Sequence, residues 1–167
     1  MRKMPIVSVM MFIALIAVGP ANADAWRYSS DKDALTLKTT NYAQVESKNS
    51  LSFDFPYQGE QRGSLTLRTH PQYGKDVILS IERGQFLCGF DDCVVRVRFD
   101  QNAPVSFSAV APADHSTTAL FIQNYSKFVS LLQKSREVVI QAQFYHAGAQ
   151  VFEFDVSGFD AKKYRPK

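Results

Sequence analysis

Cysteine, histidine and tryptophan are scarce in this chain: two, three and one among 167 residues. With only Cys88 and Cys93, no further cysteine completes a zinc site, and the spacing is not the C-x-x-C of thiol oxidoreductases. His70, His115 and His146 lie far apart, and none has a second histidine at i+2 or i+4, which removes the local metal-binding motifs. The phosphate-binding glycine loop, the dinucleotide fingerprint and the G-x-S-x-G nucleophile elbow are all missing. Charge of one sign is missing too. Nineteen basic residues face sixteen acidic ones, dispersed along the chain. That balance leaves no electrostatic footprint for nucleic acid. Past residue 18 there is no long apolar run, and no repeat, low-complexity segment or linker divides the chain.

The first residues carry an address. Arg2 and Lys3 form a short positive region, Ile6 to Val18 an apolar run interrupted only by Ser8, and Gly19-Pro20 end it. Ala21-Asn22-Ala23 then places small residues where a signal peptidase reads. The run is shorter than the ~20 residues a membrane span requires. Residues 1–23 therefore read as a secretory signal peptide, with cleavage after Ala23 or, as the alternative, Ala25. Residues 24–167 read as a single exported domain, periplasmic or secreted, with a formal charge close to zero once Arg2 and Lys3 are gone. In an oxidising compartment Cys88 and Cys93 are expected to form a structural disulfide clipping a hairpin tip at Gly89 to Asp92. Closing so short a loop is worth about 2 kcal/mol by chain entropy.

Period-two alternation dominates the rest. Leu51, Phe53 and Phe55 alternate with Ser52 and Asp54; Leu65 and Leu67 with Thr66 and Arg68; Val77, Leu79 and Ile81 with Ile78, Ser80 and Glu82. Val95, Val97 and Phe99 alternate with Arg96 and Arg98. Val138, Ile140, Ala142 and Phe144 share one parity, as do Phe152, Phe154 and Val156. Such segments are strands with one buried and one wet face, as in antiparallel sheets. Phe107 and Ala109 follow a turn at Asn102 to Pro104, and Thr117 to Ile122 reads as a further strand. Turn residues at Gln72 to Lys75 and Ala147 to Ala149 suggest hairpins. One helix is expected from Tyr125 to Lys134, capped by Asn124, because Tyr125, Phe128, Val129 and Leu132 form an apolar stripe. The expected fold is mainly β: an antiparallel sandwich or small barrel with one short helix near residues 125–134.

Candidate chemistry is thin. Asp114-His115-Ser116 contains triad residue types, but adjacent residues rarely form a relay, and the stretch reads as a turn. Arg68, Glu82, Arg96 and Arg98 lie on polar parities. If neighbouring strands pair as a meander, these residues share one sheet face and form either a cross-strand ion-pair ladder or a binding surface for an acidic or glycan partner. Phe53, Phe55, Phe99, Phe107, Phe144, Phe152 and Phe154 occupy core parities. Trp26 is expected to anchor the first strand, while Tyr28, Tyr42, Tyr57 and Tyr73 fall near strand ends or loops. Asn124-Tyr125-Ser126 matches a glycosylation sequon. The basic ending, Lys162, Lys163, Arg165 and Lys167, reads as a solvated tail. No cofactor or metal is expected.

Several segments together resemble a group of small exported bacterial envelope proteins that includes the type VI secretion accessory proteins VasI/TagO. They are Trp26, Leu65 to Arg68, Asp76 to Leu79 running into Gly84-Gln85-Phe86, Val97 to Asp100, Phe128-Val129 and Phe152 to Phe159. The sequence departs from the group at Leu37, where glycine is frequent. The resemblance implies a β-rich envelope domain linked to a secretion system, and it supplies no catalytic residues. The expected function is therefore a non-catalytic binding or accessory protein whose partner is an envelope, secretion-system or cell-surface component. The alternative is a small periplasmic enzyme or enzyme inhibitor with a site assembled from scattered residues. A deep pocket gathering His70, His115 or His146 with a carboxylate would favour the enzyme.

Overall fold

The computed structural model describes residues 26–88 and 93–164. The leader, both candidate cleavage points, the loop at Gly89 to Asp92 and the last three residues lie outside the described residues. Among the described residues, nine strands and one helix follow in chain order: β1 (Arg27–Lys32), β2 (Thr39–Phe53), β3 (Gly59–His70), β4 (Gly74–Ile81), β5 (Cys93–Phe99), β6 (Val105–Val110), β7 (Ala119–Ile122), α1 (Tyr125–Leu132), β8 (Glu137–Phe144) and β9 (Gly148–Asp155). All strand pairs are antiparallel, in one sheet of order β1-β2-β3-β4-β7-β6-β5-β8-β9. The mainly β, antiparallel class with one short helix is as the alternation implies. The sheet is not closed into a barrel by a backbone ladder. It curls until β2 packs beside β9.

Burial follows the alternation. Val45, Leu65, Leu67, Val77, Leu79, Val97, Ile140, Phe144 and Phe154 are buried on the inner face. Aromatic rings fill the interior in two groups. Phe53, Phe86, Phe144 and Phe152 meet near one end, with Phe86 and Phe144 centroids 4.4 Å apart. Phe99, Phe107 and Phe128 make edge contacts at 5.4–6.3 Å, which seats the helix on β5 and β6 through its apolar stripe. The helix begins where expected: the Asn124 side chain accepts from the Lys127 amide. Trp26 does anchor β1. Its indole N–H donates to the Val156 carbonyl at 3.2 Å and its ring lies 4.9 Å from Phe159. The final segment continues this seal, because the Asp160 amide donates to the Tyr28 hydroxyl and Thr69 donates to that of Tyr164.

The curl originates in β2. Between Glu46 and Ser50 the register with β3 shifts, so Ser47, Lys48 and Asn49 stand opposite the single residue Gly63. This bulge bends the strand. The buried Ser47 hydroxyl accepts from the Gly63 amide at 2.9 Å and donates to the Asn49 carbonyl at 2.7 Å. Asn49 then reaches the outer edge of β9. Its amide nitrogen donates to the Val151 carbonyl at 2.8 Å and its oxygen accepts from the Glu153 amide at 2.9 Å. The carboxamide stands in for the peptide group of a neighbouring strand. Gly63 is required because a Cβ there would lie 2.3 Å from Cδ1 of Phe152, a core ring of β9.

Three expectations need correction. Phe55 is 80 % exposed, because β2 ends at Phe53 and residues 54–58 turn through a cis Phe55–Pro56 peptide. Cys88 and Cys93 are joined by a disulfide, but it does not clip a hairpin. Residues 85–87 and β5 both lie along β8, and β4 pairs with β3 and β7 instead of β5. The meander holds for β1 to β4 but breaks between β4 and β5, because β7 and β6 fill the space between them.

Replacing Gly63 by alanine should overpack the contact with Phe152 and destabilise the protein by about 1–3 kcal/mol. Phe154→Ala should cost about 3–5 kcal/mol through a cavity. Urea unfolding measures both. A Gly63→Ala protein as stable as the wild type would show that β9 does not lie on β3.

Candidate functional site

The strand order separates the four residues expected to form a charged face. Arg68 lies on β3, Arg96 and Arg98 lie on β5, and Glu82 follows the end of β4. Arg96 and Arg98 share the outer parity of one strand, but β4, β7 and β6 stand between them and Arg68. Each has local employment or none. Arg68 Nε donates to Asp76 at 2.8 Å, with the guanidinium over the Phe121 ring. Arg98 meets the Asp100 carbonyl and, at 3.3 Å, Glu137. Arg96 is exposed, and Glu82 lines an open recess of ≈ 530 Å³ with Glu46, Glu60 and Arg62. Cross-strand pairing thus accounts for Arg68, and the four residues do not converge.

The histidines are also dispersed. His70 Nδ1 accepts from the Gln72 and Tyr73 amides, both at 3.1 Å, and so builds the β3–β4 turn. Asp114 accepts from the Ser116 amide at 3.0 Å, the local turn bond expected of this stretch, and His115 sits there with φ 61°. His146 lies in the β8–β9 turn with its ring against Tyr145.

A different set of residues gathers at the end of the sheet formed by the β2–β3 and β8–β9 connections. A groove of ≈ 290 Å³ is lined there by Ser52, Phe53, Asp54, Phe55, Pro56, Tyr57, Tyr145, His146, Ala147 and Gln150. Aromatic rings stand at its rim: Phe55 and Tyr57 from one loop, and Tyr145, 46 % exposed, from the other. The loops are held from below. Buried Gln61 donates to the Tyr57 carbonyl at 2.9 Å and accepts from the Arg83 amide. Gln85 accepts from the Tyr57 hydroxyl at 3.2 Å, and its carbonyl accepts from the Tyr145 amide at 2.9 Å. Gln150 ties the facing turn through the Ala147 carbonyl at 2.6 Å. Exposed aromatics on braced loops, with Asp54, His146 and Ser52 between them, make a surface suited to binding. Asp54 and His146 share this groove, but no hydrogen bond joins them among the described residues. Sequence reasoning missed the site because Phe55 was assigned to the core. The Phe55-Pro56-Tyr57 run, with its strand-breaking proline, was the available signal.

A comparison of the chain with known proteins gives no match to a protein-family model, a curated protein or a solved structure.

One charged cluster has a defined pH response. Lys48, on the β2 bulge, donates to Glu137 at 2.6 Å from across the fold. That bond, with the nearby Arg98 charge, holds the Glu137 carboxyl below its ordinary value of 4.5. The backbone amides of Glu137 and Arg136 lower Asp100 in the same way. A depressed carboxylate stabilises the fold above its unfolded value, and the contribution is lost as pH falls through the folded value. Stability should therefore hold above pH 4.5 and decline below it. Glu137→Gln should remove part of that decline, no more than about 1 kcal/mol because the pair is partly solvated. Thermal unfolding across the acid range checks this. A Glu137→Gln protein with an unchanged acid limb would contradict it.

Proposed function

We propose that this chain is a non-catalytic binding or accessory protein of the bacterial envelope, exported by residues 1–23. It engages its partner through the groove between the β2–β3 loop and the β8–β9 turn. The observation that carries this reading is the exposure of Phe55 and Tyr145 on loops braced by Gln61 and Gln85. A large aromatic side chain left in water on a rigid support is what a binding anchor requires, since little ordering cost remains on association. The disulfide supports an oxidising compartment. Among the described residues no helix is long and apolar enough to cross a membrane. The resemblance to the VasI/TagO group makes a secretion-system component the first partner to examine.

A second reading keeps a small periplasmic enzyme, because Asp54 and His146 line the same groove. In that case the pair would exchange a proton with a bound substrate.

A photocrosslinking residue at position 55 or 145, in the full chain expressed in an envelope-bearing host, should capture an envelope component. The same residue at position 96 should capture none. Adducts from position 96 alone would move the site to the charged outer strand. A turnover abolished by His146→Ala but retained by Phe55→Ala would replace the binding reading with the enzymatic one.

A further inference from the structure

The opposite end of the sheet carries a second exposed apolar surface. The β1–β2 and β3–β4 hairpin turns project there side by side, because β1 to β4 are consecutive neighbours and both turns follow the same strand ends. Leu35 is 92 % exposed, Leu37 65 % and Tyr73 67 %. These residues do not hang on a loose loop. One Asp33 carboxylate oxygen accepts from the Leu35 amide at 3.1 Å, the Thr36 amide at 2.6 Å and the Thr36 hydroxyl at 2.8 Å. The Asp33 backbone closes the turn with the Leu37 amide and the Lys38 carbonyl, both at 2.9 Å. The tyrosine is set likewise, stacked on His70 with centroids 4.5 Å apart.

Leu37 is the informative residue. Its φ is 57°, in the left-handed region where a leucine is strained and a glycine is not. Folding that leucine into this conformation gains no burial to offset the strain. A strained leucine left in water is an outlier from which a contact outside the molecule is inferred.

The chemistry of the surroundings selects the occupant. The residues are carried on two hairpin connections at the end of the sheet. Lys32 and Lys38 flank the leucines, and Lys75 flanks Tyr73 on the next turn; all three are exposed. Three carboxylates lie close by, and Asp76, next to Lys75, is paired with Arg68. Asp33 is bound within the turn by its three donors, and Asp31 is exposed on β1. Leucine and lysine are under-represented among the residues that carry protein–protein affinity. Leucine tips, a tyrosine at their side and lysines around them are the composition of an interfacial membrane contact. We propose that these two hairpin tips attach the protein peripherally and reversibly to an anionic lipid bilayer. Leu35 and Leu37 enter the acyl boundary, Tyr73 lies at headgroup depth, and Lys32, Lys38 and Lys75 meet lipid phosphates. This surface is at the far end of the sheet from the aromatic groove and does not depend on what that groove binds.

Co-sedimentation of the exported protein with vesicles tests the proposal. Vesicles of phosphatidylethanolamine with phosphatidylglycerol should bind it, and added salt should weaken the binding. Vesicles of phosphatidylcholine alone should bind it several-fold less. Leu35→Ser with Leu37→Gly should reduce binding about tenfold or more. Leu37→Gly alone should reduce vesicle binding while raising the thermal midpoint, because it relieves the backbone. Leu87→Ser, an exposed leucine outside both tips, should change nothing. Failure of the wild-type protein to bind the anionic vesicles overturns the proposal, as does undiminished binding by the double variant. A lowered midpoint in Leu37→Gly overturns it as well, by making the leucine structural. If the double variant abolishes a protein crosslink from the tip but leaves vesicle binding intact, the occupant is a protein and the proposal is wrong.

Discussion

The fold depends on one side chain meeting the edge of a strand that is remote in the sequence. Asn49 supplies a donor to Val151 and an acceptor to Glu153, and so satisfies part of the edge that β9 would otherwise leave open. An unpaired strand edge invites association with other chains. The bulge that delivers Asn49 also delivers Ser47 to the Gly63 amide and Lys48 to Glu137. Three consecutive residues thus tie β2 to its own neighbour, to β8 and to β9. The glycine opposite them lets Phe152 rest on the β3 backbone. The register shift, the bare Gly63 opposite it and the Phe152 ring that rests there form one local arrangement.

The curvature of the sheet sorts the molecule into a sealed inside and two distinct ends. One end is covered by Trp26, Phe159 and Tyr164, whose rings and hydrogen bonds draw the final segment over the sheet. Burial there raises the Tyr125 and Tyr164 hydroxyls above their ordinary value and keeps them neutral. Beside that cover stand the two hairpin tips with their leucines. At the other end, the connections between strands leave a groove whose walls are rings on braced loops. Under the two proposed contacts, the sheet between the ends would fix the distance and orientation of one relative to the other.

Much of the fold was legible from alternation. The inward parities of β3, β4, β5, β8 and β9 follow from Leu65, Val77, Val95, Val138 and Phe152 and their second neighbours, because a half-buried strand imposes period two on its residues. The Asn124 cap and the Phe128–Leu132 stripe located the helix for similar local reasons. Strand order was not legible. Placing β7 and β6 between β4 and β5 is decided by contacts among distant residues, which short-range patterns do not encode. The bulge at Ser47 to Asn49 was hidden for the same reason, since it interrupts the alternation of β2 without a glycine or proline to mark it. The candidate site suffered most. Continuing the Leu51-Phe53 parity one step too far placed Phe55 in the core, although Pro56 already signalled a turn. The charged face failed because it assumed a meander.

Amide hydrogen exchange at Glu153 tests the central claim most directly. Its N–H faces the open edge of β9 and has the Asn49 side chain as partner. The account predicts that this amide is protected nearly as well as amides inside the sheet, and that Asn49→Ala exposes it while the paired amides of β8 stay protected. A Glu153 amide that exchanges in the wild-type protein as fast as an unpaired edge amide would contradict the closure on which the rest of the fold depends.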